Sequence, residues 1–230
     1  IEIASARVSE GEFQGSKKVL DWAKENGYLD RVEILGFVDN NVSLDWINAA
    51  GGKVINLLCK GSYRHVTQQL RNTPEEHLEN IAKSVEYATK LGITTNIYLE
   101  DWSNGMRNSP DYVDFMINGL KDLNVSRIML PDTLGILSPD ETFEFLSGIL
   151  KKYPDVTFDY HAHNDYDLAT ANVFAALRAG IRCLHTTVNG LGERAGNVPL
   201  SSVVAVVKDH FKYDMSVVES KLNKISRMVE

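Results

Sequence analysis

His161-Ala162-His163-Asn164-Asp165 closes the apolar run Val156 to Tyr160 and leads into a helical pattern from Asp167 to Ala179. Side chains two apart on a strand project to the same side, so both imidazoles leave the end of a strand together, spaced to share one metal ion. A His-x-His pair alone is also compatible with two polar residues hydrogen-bonded to backbone. Position decides between the readings. The pair ends a βα unit, and the next unit ends in the run Asn189-Gly190-Leu191-Gly192-Glu193-Arg194-Ala195-Gly196-Asn197. Glycines in such a turn let backbone approach a ligand closely.

Working outward, short β-branched and aliphatic runs alternate with amphipathic stretches along the chain, without a linker or low-complexity segment. Strands are expected at Ile1 to Val8, Arg31 to Val38, Val54 to Lys60, Thr94 to Asp101, Arg127 to Thr133, Thr157 to His163 and Cys183 to Asn189. Helices are expected to begin near Gly15, Ser43, Pro74, Pro110, Pro139, Asp167 and Pro199. The proline starts fit the first helical turn, where the missing N–H costs least. This alternation predicts a parallel sheet. A doubly wound sheet would gather its site at one switch point, whereas the candidate residues here lie at the C-terminal ends of many strands. The expectation is a single (β/α)8 TIM barrel domain over residues 1–230 that lacks its first strand in this sequence.

Composition agrees with a globular domain: 230 residues, 43% hydrophobic and 24% charged. The net charge of −7 argues against a nucleic-acid partner. No apolar run approaches the roughly 20 residues of a membrane span, so no membrane partner is expected. Two cysteines, Cys59 and Cys183, provide no disulfide framework, and a cytoplasmic location is the default expectation.

The His161–Asp165 and Asn189–Asn197 segments resemble the two signatures of the isopropylmalate, homocitrate and citramalate synthase family of metal-dependent TIM-barrel condensing enzymes. The likeness extends over essentially the whole chain. Ile97-Tyr98-Leu99-Glu100-Asp101-Trp102-Ser103-Asn104-Gly105 is most similar to the citramalate-forming branch. The resemblance implies a divalent cation (Zn, Mn, Mg or Co) held by His161 and His163 with Asn197 close by. It also implies an aspartate from an Arg-Asp-Gly-Glu motif on the first strand, absent from these residues. Acetyl-CoA is the implied co-substrate and pyruvate the implied 2-oxo acid, with a homodimer as the assembly. Isopropylmalate or homocitrate synthesis, and a barrel kept for assembly or ligand sensing, remain alternatives.

Resemblance also moves Glu100 from helix capping to a catalytic role, assisting removal of a proton from the acetyl-CoA methyl group. Thr133 is expected to meet the keto-acid carboxylate. Tyr98 shares the parity of Glu100, and with Leu35 and Leu58 it is expected to form an apolar wall sized for a methyl group. Asn164 and Asp165 are expected to orient or cap, and Asp101 to be structural. Glu193 and Arg194 are expected to pair with each other or to contact coenzyme A. His65, His77, His185 and His210 are expected to fill core or surface roles.

Overall fold

The computed structural model describes all residues, Ile1–Glu230. In chain order the elements are β1 (Glu2–Ser5), α1 (Glu10–Glu25), β2 (Glu33–Phe37), α2 (Val42–Ala50), β3 (Val54–Lys60), α3 (Pro74–Lys90), β4 (Thr94–Glu100), α4 (Trp102–Asn108) and α5 (Pro110–Leu120). There follow β5 (Ile128–Asp132), α6 (Pro139–Lys152), β6 (Phe158–Ala162), α7 (Ala169–Ala179), β7 (Cys183–His185), α8 (Leu200–Val206) and α9 (Leu222–Val229). The strands form a parallel seven-stranded sheet in the order β1 to β7. An order that never reverses has no switch point, which removes the doubly wound alternative. No helix is long and apolar enough to cross a membrane.

Two compact units divide the chain, Ile1–Met129 and Leu130–Glu230. In the first, alternate strand residues Ile34, Ile55, Leu57, Cys59, Ile97 and Leu99 are fully buried, as are Ile47 of α2, Ile81 of α3 and Leu120 of α5. Each buried Leu or Ile contributes roughly 1.5–3 kcal/mol. The opposite parity carries polar groups near the strand starts. Asn56 Nδ2 donates to Glu2 (2.6 Å) and Glu33 (2.9 Å), Asn96 Nδ2 donates to Asn56 Oδ1 (2.9 Å), and Arg127 pairs with Glu33. In the second unit the core gathers Leu146 and Ile149 of α6, Tyr160 of β6 and Val173, Ala176 and Leu177 of α7.

Several boundaries differ from expectation for local reasons. β1 stops at Ser5 because Arg7 takes a positive φ of 71°. α1 begins at Glu10 rather than near Gly15, because Ser9 Oγ accepts the Glu12 N–H (3.1 Å) and two glutamates occupy the first turn. α7 begins at Ala169, after Asp167 at φ 59°, with the Ala169 N–H donated to Asn164 Oδ1 (3.1 Å). Pro199 caps α8 from outside the helix. β7 ends at His185, four residues early, and Val188–Gly190 becomes a tight turn with Asn189 at φ 57°. Helices α4 and α9 were not anticipated.

Helix α4 sits so close to the loop after β3 that a Cβ on Gly105 would lie 2.0 Å from the Gly61 carbonyl oxygen. Because the obstacle is backbone, Gly105→Ala is expected to cost roughly 1–3 kcal/mol, read as a lower midpoint in denaturant unfolding. An unchanged midpoint would mean that α4 moves freely.

Candidate active site

In the first unit the strand ends of β3 and β4 are in register, with Leu58 beside Tyr98 and Lys60 beside Glu100. The Lys60 ammonium and the Glu100 carboxylate form an ion pair. The backbone around it is held from several sides. The Lys60 N–H donates to His77 Nε2 (3.0 Å), the Lys60 carbonyl accepts the Tyr112 hydroxyl (2.8 Å), and the Gly61 N–H donates to the Glu100 carbonyl (2.6 Å). Glu100 therefore lies at a strand end with a cationic partner that the sequence reading did not assign. Asp101 is buried at φ 67° and accepts from Ser62 Oγ (2.7 Å) and Asn104 Nδ2 (2.8 Å), a structural arrangement.

Leu35 does not share a row with Leu58 and Tyr98. β2 is registered with Leu35 opposite Asn56 and Phe37 opposite Leu58, so the large apolar group level with Leu58 is Phe37. Relative strand offset is set by hydrogen bonding between strands and cannot be read from parity alone.

His77, expected to fill a core or surface role, is buried and has a defined role as an acceptor. Burial, aided by the Lys60 charge, lowers its pKa to about 4 from an ordinary value of 6.5. A histidine held neutral in the fold is protonated first in the unfolded chain. Its contribution is therefore present above pH 6.5 and is lost as pH falls from there to about 4. The loss amounts to on the order of 3 kcal/mol. Unfolding midpoints measured from pH 7 to pH 4 should fall more steeply in wild type than in His77→Gln. Parallel profiles would remove this residue from the acid response.

In the second unit β6 and β7 pair with Asp159 opposite Cys183 and His161 opposite His185. The rings of His161 and His163 lie 4.8 Å apart between centroids, so the two imidazoles do leave β6 on one side. The glycine-rich loop then folds back along the strand end. Asn164 N–H donates to the Gly196 carbonyl (2.9 Å) and Val198 N–H to the Ala162 carbonyl (3.1 Å), which sets Asn197 opposite His163. Gly196 makes this possible: it sits at φ 85°, and a Cβ there would lie 2.1 Å from the Gly190 carbonyl oxygen. Asn197 Nδ2 donates to the Leu191 carbonyl (3.1 Å), and the Asn197 side chain also hydrogen-bonds with His161.

Desolvation, then the neighbouring His185 and His163, pushes the His161 pKa well below its ordinary value, against the Asn197 hydrogen bond. Desolvation, followed by the Arg194 charge, lowers His163 too, with Asp165 and Glu193 acting in the opposite direction. Neutral imidazole is the form that ligates metal. Two imidazoles shifted towards their uncharged form, beside the Asn197 side chain, suit a divalent cation, and these residues fit the ion that the sequence resemblance implies.

Arg194 holds the loop in place. Its guanidinium binds both oxygens of Asp165 (2.7 and 3.0 Å), donates to the Thr133 carbonyl (2.7 Å) and lies 3.6 Å from Glu193. Thr133 thus sits directly after β5, its main chain tied to the loop that carries Asn197. His185, assigned only a core or surface role by the sequence, has its ring 5.5 Å from that of His161 and its Nε2 3.1 Å from the buried Asp159 carboxylate. The missed signal was strand register: His161 and His185 are distant in sequence but opposite each other in the sheet.

The sequence matches the HMGL-like family over residues 1–229. The chain belongs to that family. A homocitrate synthase of Sulfurisphaera tokodaii is 36% identical over the whole chain, which covers 49% of that relative. A 2-isopropylmalate synthase of the same organism is 34% identical over the whole chain, which covers 58% of it. This HMGL-like chain therefore spans about half the length of the curated relatives it matches. Among solved structures, an HMG-CoA lyase of Bacillus subtilis superposes with a TM-score of 0.75 at 22% identity, over 86% of this chain and 70% of the other. The carboxyl transferase domain of Rhizobium etli pyruvate carboxylase superposes at 0.69 with 15% identity, over 93% of this chain and 36% of the other. Both likenesses concern the fold.

Proposed function

We propose that this HMGL-like chain is the catalytic barrel portion of a condensing enzyme that joins the methyl carbon of acetyl-CoA to the ketone carbon of a 2-oxo acid. In this reading its seven strands belong to a (β/α)8 barrel, and the protein is a cytoplasmic homodimer. The observation that carries the reading is the His161–His163 pair, two rings on one side of a strand end with Asn197 alongside. Homocitrate and isopropylmalate synthases among the relatives support the reaction class.

His161 and His163 would hold a divalent cation, with Asn197 beside them; such an ion supplies electrophilic polarisation of a ketone carbonyl. Glu100 accepts the proton from the acetyl-CoA methyl group, and Lys60 holds its carboxylate in place. Thr133 contributes its hydroxyl to the keto-acid carboxylate. The new carbon–carbon bond joins the two substrates, and water then cleaves the thioester, so acetyl-CoA, pyruvate and water give citramalate and free CoA.

Pyruvate is the proposed 2-oxo acid because Tyr98 and Leu58 stand side by side with Phe37 next in the row, a bulky apolar row that in this reading would suit a methyl group better than a longer side chain. Leu35, registered one step lower beside Asn56, is the least suited member of the proposed apolar wall. Pocket enlargement shifts preference by roughly 1–3 kcal/mol per methylene. Tyr98→Ser should therefore raise kcat/KM for 2-oxobutyrate and 2-oxoisovalerate relative to pyruvate in the full-length protein. If the wild type used 2-oxoisovalerate as well as pyruvate, the citramalate assignment would fall and the broader condensing reading would stand.

A further inference from the structure

Beside His161 and one step below it, β6 and β7 bring together three donors of different chemistry. Asp159 and Cys183 are register partners, and His185 lies two residues beyond Cys183, hence on the same face of the sheet. Their donor atoms all lie within 4.8 Å of one another, and His185 Nε2 is 3.1 Å from Asp159 Oδ2. Around a tetrahedral zinc-type ion, with bonds of about 2.0–2.3 Å, neighbouring ligand atoms stand about 3–4 Å apart, so small side-chain rotations suffice. Asp159 has no solvent exposure. A divalent cation is a strong partner for a carboxylate held away from water.

We propose that Asp159, Cys183 and His185 form a divalent-cation site of thiolate, imidazole and carboxylate ligands, distinct from the one built on His161 and His163. The donor set selects its occupant. Thiolate favours Zn2+ or Co2+ over Mg2+ and Mn2+, which prefer oxygen ligands. Binding releases the thiol proton to solvent, leaving two anionic ligands and one neutral imidazole around the ion. The site stands independently of the condensation reading, because none of its three ligands is needed as proton acceptor or substrate contact there.

Cobalt distinguishes the two sites, since a thiolate ligand gives an intense near-ultraviolet charge-transfer band and nitrogen and oxygen ligands do not. The full-length protein, stripped with chelator and titrated with Co2+, should develop that band. Cys183→Ser should abolish it, Asp159→Asn should weaken the binding that produces it, and His163→Ala should leave it intact, with circular dichroism confirming a folded chain in each case. No band in the wild type, or a band that survives Cys183→Ser, would overturn the proposal. Loss of the band in His163→Ala would also overturn it, by making the two sites one.

Discussion

Glu100→Gln should lower turnover of the full-length protein by about 10²-fold or more, while leaving the Michaelis constant for the 2-oxo acid nearly unchanged. Glutamine keeps the shape of the side chain but cannot accept a proton, so its effect falls on the transition state rather than on ground-state binding. The ion pair with Lys60 adds a second consequence. Lys60 is largely buried, and the neutral partner leaves its ammonium uncompensated, so the melting temperature should fall as well. A double variant, Glu100→Gln with Lys60→Met, separates the two effects. It should recover thermal stability without recovering turnover. Turnover that stays normal in Glu100→Gln would return Glu100 to a structural partnership with Lys60, and a raised Michaelis constant with normal turnover would make it a binding residue.

His163→Ala should weaken retention of the divalent cation at the His161–His163 pair by about 10²-fold or more, since removal of a group that merely orients a ligand already costs roughly 10–100-fold. Turnover at limiting metal should fall in parallel and recover in part as metal is raised. Asp165→Asn makes an informative comparison. It keeps the side chain's size but weakens the two-point contact with Arg194, which ties the loop to the Thr133 carbonyl. Its effect on metal retention should be smaller than that of His163→Ala, because Asn197 is also held by backbone pairing to β6. Equal metal affinity in wild type and His163→Ala, measured by competition with a chromophoric chelator, would dissociate the pair from metal binding.

The alternation of β-branched runs with proline-started helices made the parallel sheet legible, because both periodicities are local properties of the chain. Pro74 and Pro139 begin their helices where read, each behind a hydroxyl residue that closes a capping box with the third helical residue. The overlong reading of β7 has a local cause of another kind. Thr186, Thr187 and Val188 are good strand formers, but Thr187 keeps only an isolated bridge to Pro199 and Val188 opens the turn into the glycine-rich loop. Helix α4 escaped notice because it is short and follows Asp101 directly, in a left-handed conformation without a side-chain cap.

The pairing of His161 with His163 was readable because two residues on one strand fix each other's side. The partnerships of Lys60 with Glu100 and of His185 with Asp159 were not, since each depends on the offset between neighbouring strands. That same offset displaced Leu35 from the row of Leu58 and put Phe37 in its place. Same-strand geometry is written in sequence spacing, whereas cross-strand geometry emerges only when hydrogen bonds choose a register.

Free CoA release by the full-length protein, with acetyl-CoA and pyruvate supplied after chelation and again after a divalent cation is restored, tests the central claim most directly. The account predicts release that requires both pyruvate and the cation, together with formation of citramalate in equal amount. Pyruvate-dependent CoA release that persists without any divalent cation, or no condensation product with any 2-oxo acid in its presence, would contradict it.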